Sequence, residues 1–215
     1  VNNCVINMAT VAGFADLVGV SSSNSFTSSS SGGDAAHDLT ITNNTVNNGY
    51  YGVRMEGGNA PSAVDSNATI TGNSLIGTIG YGIYLDDIFV VNISDNSISG
   101  AGLTSKDGLY CSDIADFMVE KNSIHVPDYG IAIFDGNFDA TPANRSSIIN
   151  NMVTSDDDEA LYLDDFEKTD IFHNTFNTTG TNVARCFYGN DLADLSIKNN
   201  IFVAADDEAI YFADA

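Results

Sequence analysis

Seven short segments constrain what this chain can fold into: TITNNTV, TITGNSL, NISDNSI, MVEKNSI, SIINNMV, DIFHNTF and SIKNNIF. Each carries an apolar residue, two variable residues, an asparagine, one more residue and a second apolar residue. The asparagines are Asn44, Asn73, Asn96, Asn122, Asn151, Asn174 and Asn200, at spacings of 29, 23, 26, 29, 23 and 26. The spacings themselves repeat after three, with a period of 78 residues. Tyr84-Leu85-Asp86-Asp87 and Tyr162-Leu163-Asp164-Asp165 lie one such period apart, as do Tyr110 and Tyr188. A three-coil unit has therefore been duplicated, and a repeat of this kind decides the fold before any local propensity does.

An apolar alternation, a turn rich in Asn and Gly, and a second alternation read as one turn of a β-solenoid and leave little room for helices. Ile41, Ile70, Ile93, Val119, Ile148, Ile171 and Ile197 are expected to point inward on one strand of each coil. A second strand offers the pairs Val53/Met55, Ile83/Leu85, Leu109/Cys111, Ile131/Ile133, Leu161/Leu163, Phe187/Gly189 and Ile210/Phe212. Alternation then puts the residue between each pair on the outer face. An asparagine at one place in every coil is expected to form a structural ladder of amides bonded above and below.

The pattern resembles the right-handed parallel β-helix repeat proteins, a superfamily that includes pectate lyases, polygalacturonases, alginate epimerases and many bacterial surface proteins. The resemblance covers about residues 37–215. It implies an all-β, right-handed parallel β-helix of about seven to nine coils. Residues 1–215 read as a single β-helix segment. Residues 1–36 form irregular first coils with a Ser/Gly-rich loop at 21–33, and 37–215 form regular ones. Asn3 and Asn24 stand as two further ladder positions, and Gly13-Phe14-Ala15-Asp16 as a degenerate YLDD. No cap is recognisable at either end, so the reading is of a piece of a longer protein.

Charge narrows the function classes. With 29 acids against 7 Lys and Arg, the net charge is −22, a field that repels nucleic acid and favours cations. Cys4, Cys111 and Cys186 form no metal or disulfide pattern. No apolar run reaches the about 18 residues of a membrane span, and no leader pattern is present, so membrane insertion is not expected.

On the outer face the residues between the inward pairs are Arg54, Tyr84, Tyr110, Ala132, Tyr162, Tyr188 and Tyr211, one per coil. With coils about 4.8 Å apart, this predicts an aromatic stripe. Stacking alone would stabilise it by about 0.5 to 1 kcal/mol per pair. The same face would also suit sugar rings or a partner protein. Just beyond it Asp86, Asp87, Asp113, Asp135, Asp164, Asp165, Asp191 and Asp214 are expected at equivalent places on successive coils. Such a column needs its repulsion offset. Calcium would do so, taking oxygen ligands from carboxylates and turn carbonyls, and so would solvation or capping of each turn by its own Asp. Asp156-Asp157-Asp158-Glu159 and Asp206-Asp207-Glu208 read as solvated turns or a second cation site.

Catalytic patterns of the resembled enzymes are missing. Asp86-Asp87 and Asp164-Asp165 supply the D-D of polygalacturonases, but no G-H-G, R-x-K or D-P-H-E occurs. Lyase chemistry needs a base beside the sugar's α-proton. The candidates Arg54, Lys106, Lys168 and Arg185 share no constellation. His37, His125 and His173 share no column. The expectation is a non-catalytic, secreted or cell-surface bacterial β-helix, a stalk, filament or adhesin segment. Its Tyr/Asp face would bind a cation, a polysaccharide or a like chain. The alternative is a polysaccharide lyase, hydrolase or epimerase.

Overall fold

A computed structural model of the chain describes residues 1–9, 17–22, 37–57, 65–100, 107–135, 145–180 and 185–213. Residues 13–16, Asn24, most of the 21–33 loop, Lys106 and Asp214, all singled out in the sequence, lie outside them. The described residues form a right-handed parallel β-solenoid with no helix. Six complete turns run between Asn44 and Asn200, with partial turns beyond, somewhat fewer than the seven to nine expected.

Each turn is a triangle with three parallel faces. The first stacks Val18–Ser22, Tyr51–Glu56, residues 81–86, Leu109–Ala115, Ile131–Phe134, the starts of Leu161–Phe172 and Phe187–Lys198, and Ile210–Ala213. The second stacks Thr40–Thr42, Asp65–Thr71, the end of Tyr81–Ser94, Met118–Glu120, Ser146–Ile149 and the ends of the two long strands. The third is an eight-stranded sheet from Val5–Asn7 to Ile201–Ala204. Tyr81–Ser94, Leu161–Phe172 and Phe187–Lys198 serve two faces each because they run unbroken around a corner.

The corners are made by left-handed residues. Asp87, Asp113, Asp135, Asp165 and Asp191 end the first face at φ between 46° and 56°. Three residues later Val90, Asp116, Lys168 and Asp194 repeat the conformation at φ 49° to 53°. Aspartate tolerates this region because its short carboxylate bonds locally, and other side chains meet the following carbonyl. A third left-handed position precedes each ladder asparagine: Asn43, Gly72, Asp95, Lys121, Asn150, His173 and Asn199.

The ladder holds these corners in line. Asn73 Oδ1 accepts both the backbone N–H and the side-chain amide of Asn44 at 3.0 Å. The Asn73 amide in turn donates to Asn96 Oδ1 at 3.0 Å and to the Ile41 carbonyl at 2.9 Å. The same pair of donations recurs at Asn96, Asn122, Asn151 and Asn174. Each side chain thus ties three coils, with two donors and both acceptor sites used. All but Asn200 are buried. At the N-terminal end Cys4 stands in the ladder position, its N–H donating to Asn44 Oδ1, and Asn3 is the left-handed residue before it (φ 53°). Asn3 is therefore not a rung of the ladder, because parallel pairing aligns Val5 with Thr45.

Inside, the expected inward residues from Ile41 to Ile171, and the strand pairs from Val53/Met55 to Leu161/Leu163, form one buried column. Ile210 and Phe212, on the last described rung, are exposed. A second inward column was not anticipated. Gly52, Gly82, Gly108 and Gly130 open the first face where it closes on the third. A Cβ on Gly108 would lie 2.3 Å from Ile124 Cγ2 and 2.7 Å from the Gly130 carbonyl oxygen.

Two outcomes are expected. Asn122→Ala leaves the Asn96 N–H and amide and the Ile93 carbonyl without their partner in a dry site, and should destabilise the chain by about 3 kcal/mol or more in urea unfolding. Val90 is β-branched, 44% exposed and left-handed, so Val90→Asn should stabilise by about 1 kcal/mol.

Candidate functional site

The first face carries three outward columns. The middle one is Arg54, Tyr84, Tyr110, Ala132, Tyr162, Tyr188 and Tyr211, aligned by direct strand pairing. Tyr84 and Tyr110 stack at 5.2 Å and 1°, Tyr162 and Tyr188 at 5.0 Å and 10°, Tyr188 and Tyr211 at 5.6 Å and 24°. The gap at Ala132 is bridged by Phe134, two residues on, whose ring lies 5.1 Å from Tyr110 and 4.9 Å from Tyr162, tilted 34° to each. Sequence reading missed Phe134 because it belongs to the next outward column.

A second column, toward the third face, holds Tyr51, Tyr81, Asp107, Tyr129, Glu159, Arg185 and Glu208, as the rung-to-rung bonds of the neighbouring residues show. Tyr51 and Tyr81 stack at 5.3 Å, and Tyr81 and Tyr129 meet the middle column edge-on. With Tyr50 at its end, all nine tyrosines of the chain and Phe134 join one aromatic surface. A period-2 count around the inward pairs misses this column, since Tyr51, Tyr81 and Tyr129 stand two residues before the inward Val53, Ile83 and Ile131.

The acids that the sequence places in one column fall into two. Glu56, Asp86, Ser112, Phe134, Asp164 and Asn190 form the third outward column of the face. Asp87, Asp113, Asp135, Asp165 and Asp191 form the corner beside it. The split arises because the second Asp of each Asp-Asp pair turns the corner while the first still lies in the strand. Side chains of one column all project the same way, so their carboxylates run parallel. Among the described residues no three acidic, histidine or cysteine side chains converge as they would around a metal ion. Asn190 relieves part of the repulsion by donating to Asp164 Oδ1 at 2.7 Å and to Asp191 Oδ2 at 3.2 Å.

Burial raises the Asp86 carboxyl to about 6, with Asp87, Glu56 and Asp113 adding to it and Arg54 opposing. Asp87 and Asp135 are raised in the same way, by burial first and then by neighbouring acids. Across the face Glu159 is raised by burial and by its bond with Asp158. Burial raises Tyr51, Tyr81, Tyr84, Tyr110, Tyr129 and Tyr162 too, Tyr162 to about 12 with Asp164 adding to it, so these hydroxyls stay neutral.

Two arginines lie on this surface. Arg54 is buried over the rings of Tyr51 (4.9 Å) and Tyr84 (5.3 Å) and is paired with Glu56. Arg185 lies over Tyr211 (4.2 Å) and Tyr188 (5.5 Å), with Glu208 at 3.4 Å and Asp207 at 3.7 Å. Lys168 sits at a corner (φ 49°) and His173 before a ladder asparagine (φ 60°). His37 bonds Ser66 on the second face, and His125 meets Asp156 on the third, so the three histidines stay apart. In the two acidic turns, Asp156 accepts from Thr179, Asp158 takes the Glu159 N–H, and Asp207 and Glu208 hold Arg185.

The model of the family described as right-handed β-helix region matches residues 1–152 and 62–215, which together span the chain. No curated protein matches the sequence. Among solved structures, the crystal structure of a double mutant of the periplasmic alginate epimerase AlgG superposes with a TM-score of 0.61 at 14% identity, over 77% of this chain and 36% of that one. This chain thus spans about a third of that protein, and the likeness is one of fold.

The pH dependence of stability follows from the raised carboxyls. An unfolded aspartate titrates near about 3.9, so between there and about 6 the folded chain holds the extra proton at Asp86. Stability is then greatest at the acid end of that window and falls as pH rises through it. The melting temperature should be lower at pH 8 than at pH 5, and Asp86→Asn combined with Glu159→Gln should flatten the slope.

Proposed function

Because the chain belongs to the right-handed β-helix family, we propose that it is a non-catalytic extracellular segment, a length of stalk, filament or adhesin. Its tyrosine and acid face is the surface that meets a cation, a glycan or a neighbouring chain. One observation carries the reading: the chemistry of the face repeats from rung to rung, with ring following ring from Tyr84 to Tyr211. An active site needs one coil unlike the others, and a base free to take a proton. The two arginines of this face are each engaged by rings and carboxylates, and guanidinium does not give up its proton in this pH range. The acidic, Asn-rich composition supports a secreted or cell-surface place, as does the periplasmic location of the alginate epimerase of like fold.

Incubation with alginate and with polygalacturonate, each with and without calcium, should yield no unsaturated uronate, no new reducing ends and no inversion at C5. Turnover that disappears in Asp86→Asn would replace this reading with that of a polysaccharide lyase, hydrolase or epimerase.

A further inference from the structure

We propose that the middle of the tyrosine face, the rungs of Tyr110, Phe134 and Tyr162, docks arginine side chains presented by a segment of a partner protein. The inference rests on the reading of this face as a binding surface and names the chemistry of its partner.

The molecule shows on its own surface how a guanidinium sits there. Arg54 and Arg185 each lie over two tyrosine rings with a carboxylate beside them, at opposite ends of the face. Ring faces attract a cation through their quadrupole, and arginine, planar and weakly hydrated, gains more from this than lysine does. Arg185 reaches its rings from the side, from the column next to the stripe: Tyr211, which ends the described stack, lies at 4.2 Å, and Tyr188, within it, at 5.5 Å.

The rungs between hold the same ring and acid components. Asp107 and Asp86 bear on Tyr110 from the two sides of the stripe, and Asp164 and Glu159 on Tyr162. Among the described residues no arginine or lysine lies over Tyr110, Tyr129, Phe134 or Tyr162. The parallel stack is also interrupted there. Phe134 is tilted 34° to both neighbours, so these rings do not close face to face as Tyr84 and Tyr110 do at 1°. A net charge of −22 steers a basic segment toward the surface, and the rings then select arginine within it.

The test uses a labelled oligoarginine and an oligolysine of equal length, with fluorescence anisotropy on the whole chain at physiological ionic strength. The arginine peptide should bind about tenfold more tightly or better. Tyr110→Leu with Tyr162→Leu, which leaves the net charge unchanged, should lose that preference, and Tyr110→Phe with Tyr162→Phe should keep it. Asp86→Asn with Asp164→Asn should weaken binding more than Asp95→Asn with Glu120→Gln, an equal charge change on other parts of the coil. Thermal melts establish that each variant is folded. Equal affinity for both peptides, insensitive to the tyrosines, would overturn the proposal and assign the binding to net charge alone. A polysaccharide that binds through Tyr110 and Tyr162 where oligoarginine does not would overturn the partner class and leave the binding face standing.

Discussion

Everything in this molecule is aligned by one interaction, the hydrogen bonding of an asparagine amide to its counterparts in the coils before and after it. The amide is buried, so each unmade bond carries the full desolvation penalty of a polar group in a dry site. Only one register uses both donors and both acceptor positions. A slip by one residue would break them in several coils at once, because each side chain ties three. Once the asparagines are stacked, the residue before each must be left-handed, and the apolar residues on either side must fall into columns.

The outer face inherits this alignment. Tyr84 lies on Tyr110 because Ile83 and Leu85 lie on Leu109 and Cys111. The same registry forces like charges together, and they add to the burial that raises Asp86. The corner aspartates have a conformational reason to recur: of the charged residues, Asp is among those best suited to a left-handed bend. The acidity of the corner is thus first a property of the chain's turns. The two arginines show what an acidic, aromatic face does when a cation is within reach.

Fold legibility varied with distance from the ladder. The coil period, the inward columns and the middle tyrosine stripe were readable because each recurs at a fixed offset from an asparagine. Phe134 was not, since it fills the vacancy over Ala132 from another column, an event decided by the space between two neighbouring rungs. The division of Asp86 from Asp87 was not readable either, because identical residues one position apart end up on a strand and at a corner. Asn3 misled, since the ladder position falls to Cys4, which keeps the backbone N–H donation of the other rungs but lacks their side-chain amide.

By itself the sequence determined that this chain is a β-solenoid, how its coils are spaced, and that one side of it is rich in tyrosine and aspartate. These are consequences of periodicity, which a one-dimensional pattern records in full. Tertiary structure alone decided that Tyr51, Tyr81 and Tyr129 join the stripe, that Arg54 and Arg185 rest on its rings, and that the acids divide between strand and corner. These depend on where each turn bends and which side chains lie across from one another on neighbouring rungs. Coils of unequal length place residues at different sequence offsets in the same column, and only the stacked solenoid brings them together.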